Sequence, residues 1–280
     1  SETGQVKFLL FHGENIMSVT SNKTNNDLNT SSAANPSVFS LFLKYVSANV
    51  LGMIGYSCYI LADTFFIASG IGSDALAALN LVLPAYSLMN GTGLMIGMGA
   101  ASRYTISSTK PEGTLHRTIF THALYLIVFA AVIFSSSGIL FPDKIAAVLG
   151  ADADTISYAT DYIRILLMFS PLFLGNNLLL SFVRNDGAPR LSMTGMIVGR
   201  LTNIVLDYVF IYPLGMGMTG AALATATAPV ISMLIMSVHF IKKRNHFRPV
   251  RTKPSLIRWR DICTLGVSSL ITELSSGVVI

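Results

Sequence analysis

The sequence predicts an all-α polytopic membrane protein, a bundle of six transmembrane helices followed by a truncated seventh. The 280-residue chain is 52% hydrophobic and 12% charged, whereas soluble domains carry about 25% charged residues. Six apolar runs reach the length of about 20 residues that a helix needs to cross the hydrocarbon core of a bilayer. Basic residues are concentrated in alternate loops between these runs, a pattern typical of multi-pass membrane proteins.

The chain divides into four predicted parts. Residues 1–40 include a Ser-, Asn- and Thr-rich stretch without apolar periodicity, which indicates a disordered cytoplasmic tail. Residues 41–241 form the six-helix lobe, 242–260 a basic cytoplasmic linker, and 261–280 the start of a seventh transmembrane helix. The six runs lie at 41–69, 74–102, 117–141, 156–183, 190–213 and 218–241.

Smaller features lie between and within the runs. Residues 142–150 place Ile145, Val148 and Leu149 on one side, which predicts a short amphipathic helix at the membrane interface. Pro84, Pro171 and Pro229 are predicted to bend the second, fourth and sixth runs. In the second run, Gly93, Gly97 and Ala101 form a seam of small residues that predicts close helix packing.

Loop charges predict the orientation. The loops after the second, fourth and sixth runs carry several Lys and Arg residues each, whereas the loops after the first and fifth carry none and the third has only Lys144. The even-numbered loops and the N-terminus are therefore expected on the cytoplasmic side. The last loop is also compatible with a nucleic-acid surface, but its juxtamembrane position favours topology. The lipid bilayer is the expected surrounding of the protein as a whole, and no nucleic-acid partner is predicted.

The sequence lacks the motifs of several classes of function. The chain has no G-x-x-x-x-G-K-[ST] phosphate loop, which argues against ATP hydrolysis, and its five His residues show no metal-ligand spacing. Both cysteines, Cys58 and Cys263, lie in apolar stretches and are interpreted as small buried hydrophobes. No cofactor is predicted beyond a coupling ion.

Polar residues inside the apolar runs are the candidate functional groups, because ionisable groups within a membrane are expensive. Asp63, Asp207 and Thr225 each lie six or seven residues from the predicted outer end of their run. At 1.5 Å per residue, that depth is roughly 10 Å. Three runs thus place oxygen ligands at one level.

One face of the fifth run carries two of these ligands. Asn203 and Asp207 are four residues apart and share a helix face, which Gly195 and Gly199 continue toward the cytoplasmic side. Small residues at this spacing allow close helix contact, so this face is expected to point into the bundle. Arg200 lies one turn from Asn203. It is a possible partner of the aspartates or of Asn176 and Asn177, or a structural or snorkelling residue.

Two carboxylates, an amide and a hydroxyl suit a hard cation such as sodium, or a proton. The predicted ligands are Asp63, Asn203, Asp207 and Thr225. Each has a structural alternative when taken alone: an aspartate reaching the interface, an amide linking two helices, or a threonine bonding its own helix. Their common depth favours an ion site.

Three stretches resemble the multidrug and toxic compound extrusion (MATE) family, in particular its DinF-like and Mep-type bacterial branch. The first is Tyr59-Ile-Leu-Ala-Asp63-Thr-Phe-Phe-Ile67 with Gly70-Ile-Gly72 after it. The second leads from Gly187–Pro189 into Asn203-Ile-Val-Leu-Asp207, and the third is Gly215-Met-Gly217-Met-Thr-Gly220-Ala-Ala-Leu-Ala-Thr225. The similarity runs from about residue 40 to residue 280.

The resemblance implies twelve helices in two lobes and exchange of sodium ions or protons for organic cations across a bacterial inner membrane. It assigns an N-lobe cation site to Asp63, Asn203, Asp207 and Thr225. On this basis the chain holds one lobe and the start of helix seven, and its partner is a C-terminal lobe missing from this chain. Glu273 lies where C-lobe acids often occur, and it is an auxiliary candidate together with Arg200.

The sequence departs from the family in two places. Relatives often carry a proline early in helix one, but Tyr45-Val-Ser-Ala-Asn49 has none. Arg200 stands where a small or apolar residue is expected.

Two other functions are compatible with parts of the pattern. A lipid or polysaccharide flippase of related architecture would use a cationic cavity, for which Arg200 is the only indication. An intramembrane protease would need paired catalytic groups, but His122 and His239 lie near run ends and the aspartates lack a protease-like context. No enzymatic activity is therefore predicted.

Overall fold

The structure is a computed structural model that describes residues 59–108, 115–243 and 245–279. The predicted tail, the first part of the first run (41–58) and the middle of the loop after the second run (109–114) lie outside the described residues. Arg244 and Ile280 also lie outside them.

Nine helices make up the described part of the chain. Four of them are long and apolar enough to cross a membrane, and a bent pair makes a fifth candidate span. The described end of the first run forms a shorter apolar helix. In chain order they are α1 (Tyr59–Gly70), α2 (Ser73–Ser108), α3 (Leu115–Leu140), α4 (Pro142–Val148), α5 (Ile156–Met168), α6 (Ser170–Asn185), α7 (Pro189–Ile211), α8 (Gly217–Ile241) and α9 (Leu256–Val279).

The predicted all-α polytopic class is confirmed, and the helix boundaries follow the hydropathy. The four single spans are α2, α3, α7 and α8, and the bent pair is α5 with α6. Helix α4 occupies the segment predicted to be a short amphipathic helix.

The fourth run is bent by 52° between α5 and α6. Pro171 lies in the first turn of α6, where its missing N–H leaves no intrahelical hydrogen bond to lose. The amide of Leu172 turns back to the Phe169 carbonyl oxygen at 3.0 Å. The predicted effect of Pro171 is confirmed, whereas α2 and α8 continue as helices through Pro84 and Pro229.

Glycines bring α2 close to two neighbours. A Cβ added to Gly97 would lie 2.7 Å from the Asn177 carbonyl oxygen of α6. On its other side, α2 meets α9 so closely that a Cβ on Gly266 would collide with the Met95 carbonyl oxygen. The small-residue seam predicted for the second run therefore packs against α6, and α9 is seated directly on α2.

Helices α7 and α8 are joined in the same way. A Cβ on Gly195 would lie 3.1 Å from the Ser232 carbonyl oxygen, and one on Gly199 would lie 2.8 Å from that of Ala228. The face that carries these glycines points into the bundle, as the sequence predicts. Asn203 and Asp207, one and two turns further along that face, are carried inward with it.

The buried apolar side chains form two clusters. One surrounds Ile67, Tyr162 and Leu166, and the other surrounds Phe120, Phe182 and Phe247. The second cluster includes a linker residue, so the linker takes part in the core.

Helix α9 begins before the expected start of the seventh run at Asp261. Its first turn is closed by the Trp259 amide, which donates to the Ser255 carbonyl oxygen at 3.1 Å. The hydropathy rises only at Asp261, because Arg258 and Arg260 precede it. Arg258 donates to the Thr118 hydroxyl of α3 at 2.7 Å, and Arg260 is exposed, so both basic side chains are accommodated at the start of the helix.

Candidate cation site

The four residues predicted to bind a cation are all buried. The exposed fraction is 8% for Asp63 on α1, 1% for Asn203 and 0% for Asp207 on α7, and 5% for Thr225 on α8. Since an unpaired charge in such surroundings is costly, their shared burial needs a chemical explanation.

Asp63 and Asp207 are brought together across the α1–α7 contact. Their carboxyl groups are close enough to interact directly with each other. Two ionised carboxylates are both acceptors and repel each other, so a proton on one of them would stabilise the pair. The alternative is a cation held between them.

Three of the four oxygens in this pair have no hydrogen-bond partner among the described residues. Among the described residues, Asp63 Oδ1, both carboxylate oxygens of Asp207 and both polar atoms of the Asn203 side chain are buried without a hydrogen-bond partner. Buried polar atoms are nearly always paired in proteins. The cluster therefore offers four acceptor oxygens for an ion or a proton.

Aromatic side chains hold α1 against α7 next to the pair. Phe66 contacts Tyr208 and Tyr212 with ring-centroid distances of 6.2 and 6.1 Å. The Ser69 hydroxyl lies 2.5 Å from that of Tyr212. These contacts flank Asp63 and fix which face of α1 is turned toward α7.

Three tyrosines complete the cluster, and none of them was predicted from the sequence to have a role. The Tyr162 hydroxyl lies 3.4 Å from that of Thr225, and Tyr162 is near enough to interact with both aspartates. Tyr59 also interacts electrostatically with both aspartates, and Tyr86 interacts with Tyr59 and Tyr162. Only Tyr59 could have been identified from the sequence, since it lies one helical turn before Asp63 and therefore on the same helix face.

The two auxiliary candidates are placed differently. Arg200 is half-buried on α7, and Asn177, one partner proposed for it, donates its amide to Asn90 Oδ1 at 2.8 Å. Glu273 on α9 accepts a hydrogen bond from Asn90 Nδ2 at 2.8 Å. Glu273 therefore belongs to a second polar network that joins α9, α2 and α6.

The described residues contain no group of three His, Cys, Asp or Glu side chains that is arranged to hold a metal ion. The ligands available at Asp63 and Asp207 are two carboxyls supplemented by amide and hydroxyl oxygens. Such a set suits one weakly bound monovalent ion or a proton better than a tightly held transition metal.

The sequence is similar to known multidrug export proteins. Residues 49–209 match the MatE family model. The chain is 24% identical over 242 residues to the multidrug export protein MepA of Staphylococcus aureus strain MRSA252, covering 86% of this chain and 54% of that protein. A MepA protein of Staphylococcus haemolyticus is 25% identical over 244 residues, with the same coverage.

Solved transporter structures are also similar to this chain. An inward-facing structure of a multidrug resistance MATE transporter of the MOP superfamily superposes with a TM-score of 0.72 at 28% identity, covering 79% of this chain and 50% of the other. An outward-facing structure gives 0.71 at 29% identity, with 81% and 51% coverage. The chain thus spans about half the length of the relatives it matches.

Proposed function

This chain belongs to the MATE family, and we propose that it forms the N-terminal lobe of a secondary transporter that exchanges sodium ions or protons for organic cations. The fold, a multi-pass helical bundle, belongs to a family of transporters, which argues against the intramembrane-protease alternative. Transport, the organic-cation substrates and a C-terminal lobe are parts of this proposal. So are the bacterial inner membrane and a cytoplasmic N-terminus.

The observation that carries the proposal is the pair of buried carboxyls without partners. Asp63 and Asp207 interact with each other, and three of their four oxygens are unsatisfied among the described residues. A purely structural pair would be matched by a cationic or hydrogen-bonding group. A site left open in this way is suited to a ligand that comes and goes.

In the proposed mechanism, Asp63 and Asp207 share one cation or proton, and Asn203 and Thr225 contribute neutral oxygens. The bound positive charge cancels the repulsion that otherwise separates α1 from α7. Release restores this repulsion and weakens the α1–α7 contact. Coupling requires that the ion bind one arrangement of the helices more tightly than the other. The two lobes would convert that difference into alternating access.

Ion binding is tested directly on the purified chain in detergent. Radioactive sodium is titrated by equilibrium dialysis at several pH values, with Asp63→Asn, Asp207→Asn and the exposed-site control Asp143→Asn. We expect saturable binding that both site variants abolish and the control retains. If sodium does not bind, a pH electrode should detect proton uptake that the same two variants remove. If the unmodified chain shows neither sodium binding nor proton uptake, the site is refuted.

Transport is tested in vesicles with this lobe joined to the second lobe that the proposal assigns to it. A sodium or proton gradient should drive efflux of a fluorescent organic cation, and Asp63→Asn should stop it. Undiminished gradient-driven efflux by Asp63→Asn would rule out this residue as the coupling carboxylate.

The flippase alternative rests on Arg200. If an anionic lipid-linked substrate were carried, Arg200→Gln should abolish its binding while sodium or proton binding persists. Binding of organic cations that is insensitive to Arg200→Gln favours the drug exporter.

A further inference from the structure

The linker between α8 and α9 is an extended segment fixed to the helical bundle. Residues 245–255, here called the strap, form no helix themselves. Their backbone is hydrogen-bonded to α3. Thr121 Oγ1 donates to the Val250 carbonyl oxygen at 3.1 Å and accepts from the Val250 amide at 2.8 Å. Tyr125 donates its hydroxyl to the Thr252 carbonyl oxygen at 3.0 Å. The strap backbone therefore has one defined position on α3.

The beginning of the strap is held as well. Phe247 is buried, and its ring packs against Phe120 at 4.8 Å and Phe182 at 5.1 Å between centroids. The Asp186 carboxylate accepts hydrogen bonds from the His246 amide at 2.9 Å and its imidazole Nδ1 at 3.0 Å. Both halves of the strap are thus anchored, one to α3 and one to the loop after α6.

The side chains left on the outer surface are strongly basic. Arg248, Arg251 and Lys253 are exposed, and none of the three forms an ion pair with any residue that the structure describes. Residues 242–260 contain no Asp or Glu. A fixed backbone therefore presents three uncompensated positive charges.

Apolar side chains follow these charges directly. Leu256 and Ile257, at the start of α9, are 78% and 70% exposed. A basic stretch beside exposed large aliphatic residues is the composition that favours the boundary between headgroups and acyl chains. Loop charge alone would satisfy the topology rule, but that rule requires neither a pinned backbone nor adjoining apolar residues.

We propose that the strap is a binding surface for the phosphate groups of anionic phospholipids, contacted by Arg248, Arg251 and Lys253, with Leu256 and Ile257 against the upper acyl chains. The anchored backbone lowers the entropy lost on binding, because the charges are already positioned. This proposal is independent of the cation site and of what the transporter carries. It predicts a local preference for anionic over zwitterionic lipid at the start of α9.

The single tryptophan makes this preference measurable at one place. Trp259, the only Trp in the chain, is half-buried one turn into α9, with Phe129 at 6.1 Å between ring centroids. The chain is reconstituted in mixed vesicles of phosphatidylglycerol and phosphatidylcholine, with brominated acyl chains on one lipid or the other. Bromine quenches Trp259 only from nearby lipid, so the two series give the relative affinity.

We expect a preference for phosphatidylglycerol of at least about fivefold, the factor that corresponds to about 1 kcal/mol, which a single basic residue near the membrane surface contributes. The variant R248Q/R251Q/K253Q should reduce it to near one, and the charge-conserving R248K/R251K should retain it. The control R190Q/K242Q/K243Q removes three other exposed charges and should leave it unchanged. No preference in the unmodified chain, a preference that survives the triple substitution, or equal loss in the control would each overturn the proposal.

Two further measurements separate the sources of the effect. Thr121→Val keeps every charge but removes both hydrogen bonds to Val250, and a reduced preference is expected. An unchanged preference would overturn the role of the anchored backbone. Inorganic phosphate added at constant ionic strength should not alter the quenching. If it removed the preference, a soluble phosphate rather than a lipid would be the ligand and the proposal would fail.

Discussion

The hydroxyl oxygens of Tyr162 and Thr225 lie 3.4 Å apart, further than the 2.7–2.8 Å of a well-formed hydrogen bond between hydroxyls. Tyr162 also interacts with the carboxyls of Asp63 and Asp207. The loose contact leaves lone pairs on both hydroxyls available to a third atom. Tyr162 therefore joins the predicted ligands as a contributor from α5, so that four helices meet at the site.

Tyr162→Phe should weaken ion binding without abolishing it. The change removes one hydroxyl and keeps the ring in the apolar cluster, and a hydrogen bond contributes about 1 kcal/mol, or roughly fivefold in affinity. Sodium binding or proton uptake by the purified chain measures the effect. Tyr158→Phe is the control, since Tyr158 is a half-buried tyrosine one turn earlier on α5. Equal affinities in the two variants would remove Tyr162 from the site.

Gly266→Ala should destabilise the chain, because the new methyl group would collide with the Met95 carbonyl oxygen of α2. Backbone atoms cannot move aside cheaply, so a loss of about 1–3 kcal/mol is expected. Unfolding in detergent is followed by circular dichroism. Gly175→Ala is the matched control, since its nearest neighbour would be the Met233 sulfur at 3.8 Å and alanine favours the helix. A Gly266→Ala chain as stable as the control would disprove the close α2–α9 contact.

Much of the fold could be predicted because hydropathy determines where a membrane helix begins and ends. The ends of α2, α3, α7 and α8 follow the apolar runs, and Pro171 marks the break before α6. The inward face of α7 was predictable because Gly195, Gly199 and Asn203 recur at helical spacing. The burial of Asp63 and Asp207 follows from the same local rules.

Partners distant in sequence could not be predicted. The strap is held by Thr121, which lies 129 residues from Val250, and Tyr162 meets Thr225 across 63 residues. For residues 242–260 the sequence predicted only a basic cytoplasmic linker, because a sequence pattern reports local polarity and not which backbone groups find partners. The tyrosines were missed for the same reason, since an aromatic residue in an apolar run is compatible with lipid, core or site.

Asp152→Asn should make the junction between α4 and α5 less stable. It should also make the stability of the chain less dependent on pH. Asp152 Oδ1 accepts hydrogen bonds from the Thr155 hydroxyl at 2.7 Å and its amide at 3.0 Å, and these hydrogen bonds lower the pKa of this exposed carboxyl below its ordinary value of 3.8. A carboxyl whose pKa is lower in the folded than in the unfolded chain stabilises the fold at pH values above the unfolded-state pKa. This stabilisation is lost as the pH falls through the folded-state pKa.

Thermal unfolding at neutral pH and below pH 4 checks this prediction. The unmodified chain should lose stability on acidification through this carboxyl, whereas Asp152→Asn should begin lower and change less. Asp154→Asn, on the same exposed turn, is the control. If all three chains lose the same stability, the Asp152–Thr155 hydrogen bonds do not stabilise the junction.

Asn90 should be energetically coupled to Glu273. Asn90 donates its amide to Glu273 Oε1 and accepts one from Asn177 Nδ2, both at 2.8 Å, so it links α9 to α6 through α2. Glu273→Gln keeps an acceptor oxygen and should have little effect on stability. Glu273→Leu leaves the Asn90 amide without its acceptor and should cost about 1–3 kcal/mol.

A double-mutant cycle of Asn90→Leu with Glu273→Leu isolates the interaction, measured as the free energy of unfolding in mixed micelles. Replacing both partners removes the unsatisfied group that each single change creates, so the double variant should be less destabilised than the sum of the two single variants. The difference should be about 0.6–1.7 kcal/mol, the range found for hydrogen bonds between membrane helices. Strict additivity would show that Glu273 does not interact with Asn90 in the membrane, and that this hydrogen bond does not hold α9 to α2.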